Sequence, residues 1–321
     1  MQPARFLPGP PAPRPERGIF SLGELTSETV HRLARRACDF HDDPKAGGRP
    51  LDGRTVGVLF TRTSTRTRTA FTAGAIKLGG TPVTFGPDDL QTNTGESLTD
   101  TGRVLGSMLD LLVARTSGPL HELRTLSGSG GIPVINAMAT EEHPTQGICD
   151  LATISLVRGS LEGVRVLYVG EGNNTATALA QGLSHVPGCR VTFATPPGYG
   201  LPADVLEEAA KRGAEHGTEL VESHSMDELP DQVDFVYTTR WQTTGTSKGD
   251  AHWRQTFRPF HVDEALMNRW PDAWFLHDLP AHRGDEVAAG VLDGERSVAW
   301  IQARMKLTSA MAALEWAAGT A

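Results

Sequence analysis

Residues 56–85 read VGVLFTRTSTRTRTAFTAGAIKLGGTPVTF, and their order decides the fold. An apolar run (VGVLF, 56–60) gives way to a cluster of hydroxyl and arginine side chains. A helix follows from about Arg66 to Leu78, and then a second apolar run (TPVTF, 81–85). Two short apolar runs joined by an amphipathic segment predict parallel strands linked by a crossover helix.

The same unit recurs on either side. A helical stretch covers about Glu24 to Cys38, LLVA occupies 111–114 and IPVIN 132–136, and a helix opens at His143-Pro144, where proline suits the first turn. A second set begins with VRVLYVG (164–170) and continues through RVTFA (190–194), VDFVYT (233–238) and AWFLHD (273–278). The fold class is therefore α/β: two doubly wound parallel-sheet domains joined by interdomain helices, with ligands expected beyond the C-terminal strand ends.

The division read from this pattern is a first domain at 21–150, a second at 151–296, and a long alanine-rich helix at 297–321 packing back on the first. Six prolines in the first seventeen residues favour extended polyproline conformation, so 1–20 is predicted to be a disordered extension.

Composition narrows the function. The chain has 321 residues, 39% of them hydrophobic and 21% charged, enough for two cores. Its formal net charge of −8 opposes a phosphate backbone, which excludes nucleic acid as a partner. No run reaches the roughly 18–20 apolar residues of a membrane span, and no secretory h-region opens the chain. Cys38, Cys149 and Cys189 are odd in number and lack C-x-x-C spacing, arguing against a disulfide framework and a thiolate zinc cage. A cytoplasmic protein without membrane association is expected.

The cluster after VGVLF stands between a strand and a helix start, where free backbone N–H groups and the helix dipole favour an anion. Ser64, Thr65 and Thr67 can donate hydroxyls, and Arg66 can offer two parallel N–H bonds to a phosphate. A capping serine among surface arginines would produce a similar pattern, so other segments decide.

S-T-R-T-R followed by an apolar residue resembles the phosphate-binding signature of the aspartate/ornithine carbamoyltransferases. Three further segments match in order: DLQTNTGESLTDTGRVLGSMLDLLVART, EEHPTQGICDL with its H-P-T-Q, and LHDLPAHRGDEV beside the ornithine-type H-C-L-P-A-x-R-G. The resemblance covers nearly the whole chain after the proline-rich arm. It implies that Ser64, Thr65, Arg66 and Thr67 cradle the phosphate of carbamoyl phosphate, and that Arg115 and His143 face the carbonyl oxygen. Gln146, one turn from His143 on the same helix face, would accept from the carbamoyl N–H₂, and Arg283 would be a second arginine clamp. Gln91 would reach a neighbouring subunit's site, implying a homotrimer. No metal or organic cofactor is required by that reaction.

The acceptor side is mixed. VGEGNN resembles the ornithine-type G-D-G-N-N, which assigns Asn174 to the amino-acid substrate. The segment is a poor dinucleotide loop, because Thr175 stands where a third glycine is needed and no acidic residue follows near Ala194. Thr239 occupies the place of the ornithine-type aspartate. T-R-W-Q instead resembles the T-R-x-Q of the aspartate-type enzymes, assigning Arg240 and Gln242 to a carboxylate. Asp278 replaces the cysteine of H-C-L-P, beside Leu279, and would orient the acceptor's ammonium or take its proton; a buried pair with Arg283 is the competing reading of Asp278.

Taken together, these departures make the expected acceptor a non-ornithine amino acid or tailored intermediate of specialised metabolism. A genuine ornithine carbamoyltransferase, an O-carbamoyltransferase and a catalytically silent anion-binding homologue are the alternatives.

Overall fold

The computed structural model describes residues 17–243 and 246–320. Most of the predicted disordered extension lies outside these residues. Its last four positions depart from the expectation: Ile19 is fully buried and bridges Ile135, donating to Val134 O (2.9 Å) and accepting from Asn136 N (2.8 Å). The apolar GIF triplet at 18–20 is what ties this stretch to the rest of the fold.

The first half of the chain runs α1 (Ser27–Asp42), β1 (Thr55–Phe60), α2 (Arg66–Lys77), β2 (Thr81–Phe85), α3 (Leu98–Met108), β3 (Leu111–Arg115), α4 (Leu120–Gly130), β4 (Val134–Asn136) and α5 (Pro144–Arg158). The second runs β5 (Arg165–Val169), α6 (Asn174–Leu183), β6 (Arg190–Ala194), α7 (Ala203–Ala214), β7 (Glu219–Ser223), β8 (Phe235–Thr238), α8 (Trp253–Phe257), α9 (Glu264–Met267), β9 (Trp274–His277), α10 (Ala289–Leu292) and α11 (Ala299–Ala317).

Two sheets result, both parallel among the described residues: β2-β1-β3-β4 and β7-β6-β5-β8-β9. In each, the first strand in sequence is flanked by the next strand on one side and a later one on the other, so the winding direction reverses there. Those reversals, beside β1 and β5, open crevices at the carboxyl ends of the strands.

One core gathers Phe40, Phe60 and Phe71 with Met311 and Leu314; another gathers Tyr168, Phe193, Phe235 and Tyr237. Helix α5 serves both, placing Ile148 and Ala152 in the first and Leu151 and Ile154 in the second. Position 150 thus falls inside a helix shared by two cores. From the second sheet, α11 returns to lie against α1, α2 and α5. No helix of the described residues is long and apolar enough to cross a membrane.

Helices α3 and α4 approach most closely at glycines. A Cβ on Gly106 would lie 2.0 Å from Gly130 O, and one on Gly102 2.1 Å from Ser129 Oγ. Backbone cannot yield there as a flexible side chain can. Gly106→Ala should therefore destabilise the protein by about 1–3 kcal/mol, even though alanine gains roughly 1 kcal/mol in helix propensity. Denaturant titration tests this, and an unchanged midpoint would rule out the close crossing.

Candidate active site

Between the two sheets lies a cavity of about 270 Å³. Its first-domain wall begins where β1 ends. Thr65 caps α2 without a side-chain hydrogen bond to the helix, and the first bond of that turn runs from Thr69 N to Thr65 O (3.1 Å). The amides of Arg66, Thr67 and Arg68 are thus left free of intrahelical partners at the positive end of a three-turn helix. Ser64, Thr65, Arg66 and Thr67 all line the cavity.

Arg115, the last residue of β3, is paired in register with Phe60 and reaches the same space. The Nε atoms of Arg66 and Arg115 are buried and have no hydrogen-bond partner among the described residues. Burial lowers both guanidinium pKa values, with Arg115 brought down to about 10; Asp278 counteracts this while neighbouring cations reinforce it. Both arginines remain charged at neutral pH. Buried donors of one sign facing a cavity suit an anion.

His143 caps α5 ahead of Pro144, with its amide donating to Asn174 O (3.1 Å) and its Nδ1 3.3 Å from Thr145 Oγ1. Burial, then the charges of Lys306 and Arg115, hold its pKa well below the ordinary imidazole value. The ring is therefore neutral at pH 7, with one N–H to donate.

Gln146 lies one turn along the same face. Its Nε2 donates to Asp150 Oδ1 (2.6 Å), and its Oε1 accepts from Lys306 Nζ. Asp150 also accepts from Gln302 Nε2 (2.7 Å) and Tyr237 Oη (3.0 Å). Burial raises its carboxyl to about 7 against the pull of these donors. The expected carbamoyl-facing oxygen of Gln146 thus already carries one bond, leaving a single lone pair for a ligand.

The second-domain wall comes from the ends of β5, β8 and β9. Asn173 Oδ1 caps α6 by accepting from Thr175 N (3.0 Å) and Ala176 N (3.2 Å), while Asn174 Nδ2 donates to Ala139 O (2.9 Å) across to the first domain. Thr239, Arg240, Asp278 and Leu279 line the cavity. Asp278 Oδ2 accepts from Thr175 Oγ1 (3.1 Å). Leu279 holds a left-handed φ of 55°, unusual for a bulky residue. His277 stabilises it, accepting from Leu279 N at Nδ1 (2.8 Å) with Nε2 on the buried Glu286 carboxylate (3.0 Å).

Three sequence-predicted residues stand outside this cavity. Arg283 forms a bidentate pair with Asp293 (2.9 and 2.7 Å) on the surface, so neither the second clamp nor the Asp278–Arg283 pair is present. A carboxylate ten residues downstream captures the guanidinium. Gln242 donates to Thr246 O (2.7 Å) and lines a neighbouring depression with Trp241 and Trp253, so of T-R-W-Q Thr239 and Arg240 reach the cavity and the glutamine does not. Gln91 is exposed in a short 3₁₀ turn, Gln91–Thr94. Conversely, Lys306 of α11 lines the cavity without having been anticipated. No local pattern marks it, because tertiary return of α11 delivers it.

An interdomain cleft with a hydroxyl-rich helix start, two arginines whose Nε atoms are buried without partners among the described residues, and a neutral histidine defines an enzyme site for a small anionic substrate. The chain belongs to the aspartate/ornithine carbamoyltransferase family and is a carbamoyltransferase. Residues 17–155 match the family's carbamoyl-P binding domain, and residues 162–317 its Asp/Orn binding domain.

The ornithine carbamoyltransferase of Anoxybacillus flavithermus is 36% identical over 302 residues, covering 93% of this chain and 95% of that one. That of Carboxydothermus hydrogenoformans is 37% identical over 301 residues, covering 93% and 96%. The solved structure of ornithine carbamoyltransferase from Pyrococcus furiosus superposes with a TM-score of 0.87 at 35% identity, covering 93% of this chain and 96% of that one. These names favour the ornithine alternative over the expected non-ornithine acceptor.

Proposed function

We propose that this carbamoyltransferase transfers the carbamoyl group of carbamoyl phosphate to the side-chain amine of ornithine. The observation that carries the reading is the pair of partnerless buried Nε atoms, of Arg66 and Arg115, aimed at one cavity beside the α2 start. The names of relatives covering nearly the full chain support the acceptor.

In this reading Ser64, Thr65, Arg66, Thr67 and the α2 amides hold the phosphate. Arg115 and neutral His143 donate to the carbonyl oxygen as negative charge develops there, and Gln146 accepts from the carbamoyl N–H₂. The neutral amine attacks the carbonyl carbon to give a tetrahedral intermediate, the bond from that carbon to the bridging oxygen breaks, and phosphate leaves with that oxygen and the bonding pair. Asp278 orients the acceptor's amine end and receives its proton. Asn174, Thr239 and Leu279 shape the rest of the acceptor space. The enzyme works in the cytoplasm as a trimer, with Gln91, exposed outside its own cavity, supplied to a neighbouring copy.

A second reading has its own observation. Thr239 and Arg240 meet the cavity at the end of β8, where Arg240 Nε donates to Gln242 O (2.6 Å) and its charge adds to those of Arg66 and Arg115. A guanidinium here, with Asp278 opposite, suits a different acceptor with a carboxylate near its amine, as specialised metabolism would require.

Incubation with carbamoyl phosphate and a panel of ornithine, 2,3-diaminopropionate, 2,4-diaminobutyrate, aspartate, putrescine and hydroxylated amino acids separates the readings by product mass and phosphate release. Saturable turnover of ornithine sustains the first; preference for a shorter diamino acid, aspartate or a hydroxyl acceptor replaces it. With whichever acceptor turns over, Asp278→Asn should raise KM for that acceptor roughly 10- to 100-fold without weakening carbamoyl phosphate affinity, since one charge-assisted contact is lost and a repelling carboxylate removed. Unchanged acceptor kinetics would end the role given to Asp278.

A further inference from the structure

The second-domain wall of the cavity is braced from behind. Lys248 stands among exposed neighbours, Thr246, Ser247, Gly249 and Asp250, yet its own side chain is only 4% exposed. The ammonium turns inward over the rings of Tyr199, Trp253 and Phe257, at 4.7, 5.4 and 4.7 Å from their centroids, and donates to Glu171 Oε1. Three aromatic faces and a carboxylate suit a desolvated cation. A lysine on an exposed stretch would otherwise keep its charge in water.

Glu171 carries this anchor to the cavity. Its Oε2 accepts from Thr243 Oγ1 (3.4 Å), and the same hydroxyl accepts from Asn173 Nδ2 (3.1 Å). With an acceptor on one side and a donor on the other, the hydroxyl has a single orientation. Asn173 Oδ1 in turn caps α6, whose Thr175 donates through Oγ1 to Asp278. Thr243, Asn173, Thr175 and Asp278 all line the cavity, and Glu171 and Lys248 stand behind them.

We propose that Lys248 is a positioning residue for the acceptor, its caged ammonium holding Glu171 so that Thr243 and Asn173 are set at the acceptor wall before the amine arrives. The assignment rests on the carbamoyl-transfer reading of the cavity. Without the ammonium, Glu171 would be a largely buried carboxylate facing one neutral side-chain donor, and it would turn toward water and release Thr243. The phosphate wall, built from α2 and β3 in the first domain, would be untouched. Lys248 thus governs how the acceptor is received without meeting it.

The test combines steady-state kinetics on the intact protein, with whichever acceptor turns over, calorimetric titration with carbamoyl phosphate, and melting curves. Lys248→Met, whose unbranched stem still fills the space between the rings, should raise KM for the acceptor roughly 10- to 30-fold. In that variant kcat should stay within about threefold of wild type and carbamoyl phosphate affinity within about twofold. If the methionine variant does not fold, Glu171→Gln, which breaks the pair from its other side, takes its place with the same expectation. In a Thr243→Val background, which lacks the connecting hydroxyl, Lys248→Met should change KM by no more than about twofold. Wild-type KM in the folded methionine variant, an equal loss of carbamoyl phosphate affinity, or a further loss of about tenfold in the valine background would overturn the proposal alone. Absence of acceptor-dependent turnover in the wild-type protein would instead overturn the reading on which it rests.

Discussion

Arg66→Ala should take carbamoyl phosphate binding out of calorimetric range while leaving the melting temperature within a few degrees of wild type. The side chain leaves the first residue of α2, and its Nε is buried without a partner among the described residues. Its charge lies close enough to Arg115 to depress that residue's pKa. Removing it relieves repulsion within the protein and deletes a bidentate, charge-assisted contact to the ligand. Two such bonds at about 1.5–3 kcal/mol each correspond to roughly 10²- to 10⁴-fold in affinity. Binding within tenfold of wild type would mean that the helix start is not the phosphate site.

The second large effect is expected at Arg115, on turnover more than on binding. Arg115→Met keeps the stem that fills the space between β3 and the cavity and removes the donors proposed to face the carbonyl oxygen. Since His143 is held neutral by burial and by the charges of Lys306 and Arg115, Arg115 is the charged member of that donor pair. A fall in kcat of about 10²- to 10³-fold is expected, the usual consequence of losing one donor to a developing oxyanion. The affinity for carbamoyl phosphate should fall much less. Equal losses in affinity and kcat/KM with kcat unchanged would reassign Arg115 to ground-state binding.

Much of this architecture was legible because it is local. Apolar runs such as VGVLF and VRVLYV became buried parallel strands, and the hydroxyl-rich start of α2 lines the cavity because a strand-to-helix turn exposes amides wherever it occurs. Residues set by distant contacts were not legible. Strand β7, ELVES, buries a single leucine at an exposed edge, so it carries no apolar run to read. Ile19 looks like the end of a proline arm until β4 offers it a partner. Arg283 shows the limit of motif matching: the motif is present, but Asp293 fixes the side chain on the surface. Lys306 is the converse case, a lysine in an alanine-rich helix whose meaning depends on where that helix is carried.

The path of α11 has a bearing on modularity. The two family segments, 17–155 and 162–317, follow one another with no overlap in sequence, as though either could stand alone. Met305, Met311 and Leu314, encoded at the end of the second, complete the core of the first, and α5, encoded at the end of the first, fills both. A cut between the segments would leave each half with an open apolar flank, so the chain is two segments in sequence and one unit in folding.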